Sequence, residues 1–234
     1  MSDKVQKVAL PGALVRPDFV KSGDIRGAET IQREDLQMPR LSLAQGLSPE
    51  LDPSSPKYID GLKVGDAFNN LTQQVYGKNP LEVVIVRVDR PRFVEFNPRD
   101  AGGGIKDFNV SPNDPRVAFG PNGEKPVATR FMESVALLGP AHEPIALSFK
   151  GSGLKTARQL NGLIKFANSP SFALKFILTP SIEKNSKGTF AVFTVKTAGF
   201  VDQETYEYAA AIYESIKDKT LVTELEEPEE TAPF

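Results

Sequence analysis

Alternating and continuous apolar segments predict a chain built mainly of β-strands. Residues 81–88 form an apolar, β-branched run typical of a strand buried on both sides. Residues 92–96 are predicted to be its hairpin partner, with the turn at 89–91. Further strands are predicted at residues 40–43, 134–138, 144–150, 172–178 and 189–197. A turn at residues 185–188 is predicted to join the last two of these strands.

Two segments repeat apolar residues at helical spacing. The first, residues 153–167, has an apolar side and an opposite side that carries Lys155, Arg158 and Lys165. The second, residues 203–217, is preceded by Asp202 as a predicted N-cap. The residues predicted to be buried in the first helix are Ala157, Leu160, Leu163 and Ile164. Those predicted to be buried in the second helix are Ala209, Ile212, Tyr213 and Ile216.

The order of these elements predicts a mainly β fold with some α: an OB-fold-like antiparallel barrel. One helix lies between the third and fourth barrel strands, and a second helix is appended at the end. Other β-rich barrels would give a similar order. The expected organisation is an irregular arm over residues 1–60, a nucleic-acid-binding domain over 61–218 with a loop-rich insertion near 98–126, and a disordered acidic tail over 219–234.

Composition narrows the possible chemistry. The 234 residues include no cysteine and one histidine, His142, so disulfides, thiolate metal sites and thiol catalysis are excluded and little material remains for a zinc site or a catalytic triad. No catalytic constellation or cofactor motif is found, so we expect a non-enzyme without a cofactor. No apolar run approaches the length of a membrane span, so we expect no membrane association and a cytoplasmic location.

Charge is strongly segregated along the chain, although the formal net charge is only −2. Residues 144–200 contain eight basic residues and one acid, Glu183, which gives +7. From residue 201 onward, ten acids face two lysines, which gives −8. A basic body with an acidic end is the arrangement expected if the body binds a polyanion and the end competes for the same surface.

Basic and aromatic residues alternate on several predicted strands, as a single-stranded nucleic acid requires of its binding groove. For each phenylalanine the alternative is an ordinary core position, and for the helical cations it is a solvated surface. The candidate nucleic-acid-binding residues are Arg87, Arg90, Arg92, Phe93, Phe149, Lys150, Lys155, Arg158, Lys165, Lys175, Phe190, Phe193 and Lys196.

The last eleven residues form an acidic strip that ends on Pro233 and Phe234. A terminal aromatic ring beside a free carboxylate suits capture by a partner with an apolar slot and a basic rim. The alternative is a tail that only promotes solubility. The predicted partner-binding residues are Glu226, Glu227, Glu229, Glu230, Pro233 and Phe234.

This tail resembles the carboxyl tip of bacterial single-stranded DNA-binding proteins and the tails of the OB-fold single-strand binders of short-tailed bacteriophages. Residues 38–43, 61–68 and 145–158 are similar to segments of bacteriophage single-stranded DNA-binding proteins. The resemblance implies a protein of the host cytoplasm that coats single-stranded DNA without sequence specificity during replication or recombination. It also implies a tail that recruits polymerase or helicase, and a homo-oligomer is possible.

Two other classes remain open. One is a virion structural or assembly protein whose acidic tail only repels its neighbours. The other is an RNA-binding or single-strand annealing protein, which a comparison of matched DNA and RNA oligomers separates from a DNA binder.

Overall fold

The computed structural model of the protein describes residue 27 and residues 37–98, 102–185 and 188–218. These ranges contain ten strands and two α-helices. The strands are β1 (Arg40–Leu43), β2 (Ala67–Asn69), β3 (Val75–Gly77), β4 (Leu81–Val88), β5 (Arg92–Phe96), β6 (Ile105–Asp107), β7 (Ala128–Leu138), β8 (Glu143–Phe149), β9 (Leu174–Asn185) and β10 (Gly188–Phe200). The helices are α1 (Leu154–Phe166) and α2 (Gln203–Ile216).

The strands join in one curled sheet with the order β10-β9-β4-β7-β8-β1-β2-β3. Strands β4, β7, β8, β9 and β10 follow the OB-fold pattern, with α1 inserted between the third and fourth of them. The fold is therefore mainly β and OB-fold-like, as predicted. The parallel partner of β8 is β1, which lies in the segment predicted to be an irregular arm.

The predicted hairpin between β4 and β5 is wrong. β5 pairs with β6 and β7. Both β4 and β5 lie antiparallel to β7, with Val88 opposite Ser134 and Arg92 opposite Phe131. Residues 89–91 therefore interrupt a strand that continues along β7, and the chain does not reverse there.

The free edge of β10 is capped by side chains instead of a further strand. The Gln45 amide makes two hydrogen bonds to the backbone of Ala191: its Nε2 donates to the carbonyl over 2.9 Å, and its Oε1 accepts from the N–H over 2.8 Å. From α1, Thr156 Oγ1 donates to the carbonyl of Phe193, and Gln159 Nε2 donates to that of Val195 over 3.2 Å. These contacts, which we call the seam, satisfy backbone groups that an open strand edge would leave unpaired.

The interior of the curled sheet is filled by side chains from β1–β4 and β7–β10 and closed at one end by α1. Leu160 of α1 and Phe176 of β9 are fully buried in this cluster. All four α1 residues predicted to be buried belong to it or pack against it. Helical periodicity therefore identified the side of α1 that faces the core.

Helix α2 covers the outer face of β4 and β7. Its Ala209 and Ile212 pack against Val84 and Leu137, together with Tyr213 and Ile216. The predicted N-cap is confirmed, because the Asp202 carboxylate accepts a hydrogen bond of 2.8 Å from the Thr205 N–H. The appended helix is thus an integral second layer of the fold.

The insertion between β4 and β7 is held by a charge network around the buried Glu95. The carboxylate of Glu95 contacts Lys106 Nζ at 2.5 Å and Arg116 Nη1 at 2.6 Å. Arg116 also binds Asp107 at 3.0 Å and Asp114 at 2.8 Å. We call this segment, residues 89–127, the arm; it is a different segment from the irregular N-terminal arm predicted over residues 1–60.

Replacing Gln45 with alanine should destabilise the protein because the backbone N–H and carbonyl of Ala191 would lose their partners at the seam. The expected decrease in the free energy of unfolding is about 1–3 kcal/mol, measured by urea denaturation. Gln203→Ala is the matched control, since Gln203 only bonds Glu207 on the exposed side of α2. Equal stability of the two variants would contradict this role for Gln45.

Low pH should weaken the ion pairs that hold the arm. Hydrogen bonds from Lys106 and Arg116 lower the pKa of Glu95, and the bond from Arg116 lowers the pKa of Asp114 to about 2. Carboxylates with lowered pKa values stabilise the folded state above their unfolded pKa of about 4 and lose this contribution as the pH falls through the folded value. The stability advantage of the wild type over Arg116→Met should therefore be full at about pH 7 and shrink between about pH 4 and pH 2.

Urea unfolding of both proteins across this pH range measures that difference. A difference that stays constant down to about pH 2 would show that Arg116 acts by packing and not by charge.

Candidate nucleic-acid interface

Arg87 does not lie on an open surface. Its guanidinium donates to the carbonyl of Ile216 at the end of α2 and contacts Asp89 at 2.7 Å, and its side chain is about 10% exposed. A cation at the C-terminal end of a helix is favourable for the helix dipole. Arg87 therefore fixes α2 to the sheet.

Arg92 and Phe93 also have partners within the protein. Arg92 contacts the Glu133 carboxylate at 2.6 Å and lies 4.6 Å from the centre of the Phe108 ring. Phe93 is half-buried, with Arg130 at 5.9 Å from its ring centre. Only Arg90, in the break between β4 and β5, is exposed in this group.

The candidate phenylalanines of the barrel are mostly inside it. Phe149 and Phe193 belong to the interior cluster, so bases cannot stack on them while the barrel is folded. Phe190 is half-buried on β10. Strand alternation predicted which side chains lie on the same face of a strand. It did not predict which of the two faces would be buried inside the barrel.

Two predicted basic residues are partly engaged. Lys175 is half-buried and lies 3.7 Å from the Glu82 carboxylate. Lys150 is half-buried immediately before a short 3-10 turn that leads into α1. Neither residue forms part of a freely exposed cationic cluster.

The structure brings together the three predicted cations of α1. Lys155, Arg158 and Lys165 are exposed on one side of the helix, and none has an ion-pair partner within the described ranges. Lys196 is exposed on the neighbouring β10, next to Val195, whose carbonyl is bound by Gln159 of α1. We call the exposed side of α1 with Lys155, Arg158 and Lys165 the cationic face.

The N-terminal part of the cationic face is electrostatically unfavourable for the helix, whereas Lys165 lies in the last turn, where the dipole favours a cation. Lys155 lies in the first turn, where the helix dipole favours an anion, and the first turn has no acidic residue. Arg158 follows Lys155 at the i, i+3 spacing, where like charges repel. By contrast, α2 has an acidic N-cap and Glu204 in its first turn. The first turn of α1 therefore carries unfavourable charge interactions that folding alone does not require.

The face that usually binds ligands in OB-folds is partly covered here. That face corresponds to the outer side of β7 and β8. Val135 and Leu137 of β7 are covered by α2, and Glu133 is bonded to Arg92 and Ser148. The exposed cations of α1 lie away from this usual position.

Sequence reasoning missed two exposed aromatic residues, at the ends of α1 and β10. Phe166, the last residue of α1, is 89% exposed, and Phe200, the last residue of β10, is 68% exposed. Helical spacing places Phe166 on the same side as Gly162, outside the apolar side of α1. This spacing could have identified Phe166 as an exposed residue. The predicted tail residues lie outside the described ranges.

The described ranges place no group of three or more metal-ligating side chains together. They also contain no helix with the length and hydrophobicity to cross a bilayer.

A family model described as Pam3 phage gp34-like protein matches residues 6–222. No curated protein has a significant match to the chain, and no solved structure has one.

Proposed function

The chain belongs to the Pam3 phage gp34-like protein family, and we propose that it binds single-stranded DNA without sequence preference through the cationic face of α1. It is a phage protein, and its fold belongs to a class that often binds oligonucleotides. The observation that carries the proposal is the exposed side of α1, where Lys155, Arg158 and Lys165 have no ion-pair partner among the described residues and Lys155 opposes the helix dipole. In this role the protein protects transient single strands in the host cytoplasm.

The phosphate backbone of a bound strand would offset the unfavourable electrostatic interactions in the N-terminal part of α1. Anionic oxygens near Lys155, Arg158 and Lys165 would relieve their mutual repulsion and replace the missing acid in the first turn. Binding through phosphates releases counterions, so affinity would fall steeply with salt. Such contacts carry no sequence information, which fits a protein that coats strands of any sequence.

The acidic tail would compete with DNA for this face and, once displaced, would recruit a replication partner such as polymerase or helicase. The motivation is the −8 charge that follows residue 200 and the +7 charge of the segment that contains α1. No catalytic step is part of the proposal.

An assembly role in the virion is the second candidate, and the arm favours it. Phe119 is 72% exposed and Val127 is 62% exposed, both on the arm. Ile105 and Phe108 of the same segment are each 40% exposed as well, and exposed apolar patches often mark contacts between proteins. Presence of the protein in purified particles, without retention of DNA, would support this candidate.

Neutralising the cationic face should weaken DNA binding. The triple variant Lys155→Gln, Arg158→Gln, Lys165→Gln should bind a labelled oligothymidylate more weakly, because up to three phosphate contacts are lost. The slope of log K against log salt should become shallower by about 2, at about 0.7 per contact for single strands. Fluorescence anisotropy at several salt concentrations measures both quantities.

A control triple variant, Lys57→Gln, Lys63→Gln, Lys78→Gln, removes the same charge from exposed positions of the N-terminal segment. It should retain the wild-type slope. Equal losses in the two triple variants would mean that net charge, and not α1, governs binding. An oligomer of matched RNA sequence distinguishes a DNA binder from an RNA binder.

Deleting residues 224–234 should raise the affinity for the oligothymidylate at low salt, because five competing glutamates are removed. The increase should disappear at high salt, where charge interactions are screened. An unchanged low-salt affinity would exclude competition by the tail while leaving DNA binding by α1 intact.

A further inference from the structure

Two exposed phenylalanines, Phe166 and Phe200, lie where α1 and β10 both end. Phe166 is 89% exposed, and its ring lies beside Gly162, because a Cβ built on Gly162 would be 4.0 Å from Cε2 of Phe166. The ring therefore lies along the exposed surface of the helix, one position from Lys165. A polar residue at this position would leave the core unchanged, since the ring has no part in it.

Phe200 belongs to the same end of the molecule. It lies opposite Leu174 in the register of β9 and β10, so the two side chains share a face of the hairpin. Leu174 is part of the interior cluster against which Leu163 and Ile164 of α1 pack. The side chain of Phe200 is thus on the side of the hairpin that faces α1.

The relative direction of α1 and β10 places Phe166 and Phe200 toward the same end of the molecule. Thr156 bonds the carbonyl of Phe193, and Gln159 bonds that of Val195. Both elements therefore run in the same direction along the seam. Phe166 lies about 10 Å beyond Gln159 along the helix, and Phe200, at the end of β10, lies at most about 16 Å beyond Val195 along the strand.

We propose that Phe166 and Phe200 form a stacking platform on which unpaired bases rest while the cationic face of α1 holds the phosphates. This inference rests on the proposed function and names the residues that contact bases. Proteins that bind single-stranded nucleic acid combine aromatic rings, on which bases stack, with cations that contact the phosphates. Any base can stack on such a ring, so this contact does not depend on sequence. Exposed Phe166 directly follows Lys165 at the end of the cationic face, whereas a protein partner of the same patch would need to supply matching acids.

Alanine substitution separates stacking from charge. Phe166→Ala and Phe200→Ala should each lower the affinity for a labelled oligothymidylate by about 5- to 100-fold, the effect of losing one stacked base. The salt slope should stay at the wild-type value because no phosphate contact is removed. Phe119→Ala is the matched control, since Phe119 is equally exposed but lies on the arm.

A tryptophan reporter gives a direct signal, since the natural chain has no tryptophan. Phe166→Trp should show fluorescence quenching when oligothymidylate binds, whereas Phe119→Trp should not. If the wild type binds DNA but Phe166→Ala keeps its affinity and Phe166→Trp is not quenched, the platform is refuted and the proposed function stands. If the wild type does not bind DNA at low salt, both are refuted. A change in oligomeric state without a change in affinity would identify the patch as a contact between copies and also refute the platform.

Discussion

The rest of the structure depends on the side-chain seam along β10. In an OB-fold the last strand lies near the third, where the barrel closes. Here β1 occupies the edge of β8, and Gln45, Thr156 and Gln159 satisfy the backbone of β10 instead. Because two of these three residues belong to α1, the seam also fixes the helix beside β10. The inner side of α1 is thereby committed to the core, and its cations are left facing solvent.

The first turns of the two helices differ in their electrostatics. In α2, an acidic N-cap, an acid in the first turn and the bond from Arg87 to Ile216 all favour the helix. In α1, Lys155 opposes the dipole and no acid compensates it. A sequence that follows local rules in one helix and breaks them in the other indicates that the exposed side of α1 serves something other than folding. The same helix α2 covers part of the outer face of β7, where OB-folds usually bind oligonucleotides.

Much of the fold could be predicted from periodicity, because alternation and helical spacing are local. The bounds of β4, the buried sides of both helices and the Asp202 cap followed directly. The pairing of β5 did not, since Asp89 to Pro91 have turn chemistry but lie along β7. The candidate site was predicted less well, because ion pairs are non-local: Arg92 is neutralised by Glu133, 41 residues away. Exposure, which brings Phe166 into the site, is likewise a property of the assembled barrel.

The central claim is that an unpaired strand lies across α1 and not across the usual OB-fold face. Ultraviolet cross-linking of a thymidine oligomer, followed by mass spectrometry of the peptides, tests it most directly. The account predicts adducts in peptides that cover residues 154–166 and 197–200. Adducts concentrated in residues 128–149, on β7 and β8, with none on α1, would contradict it.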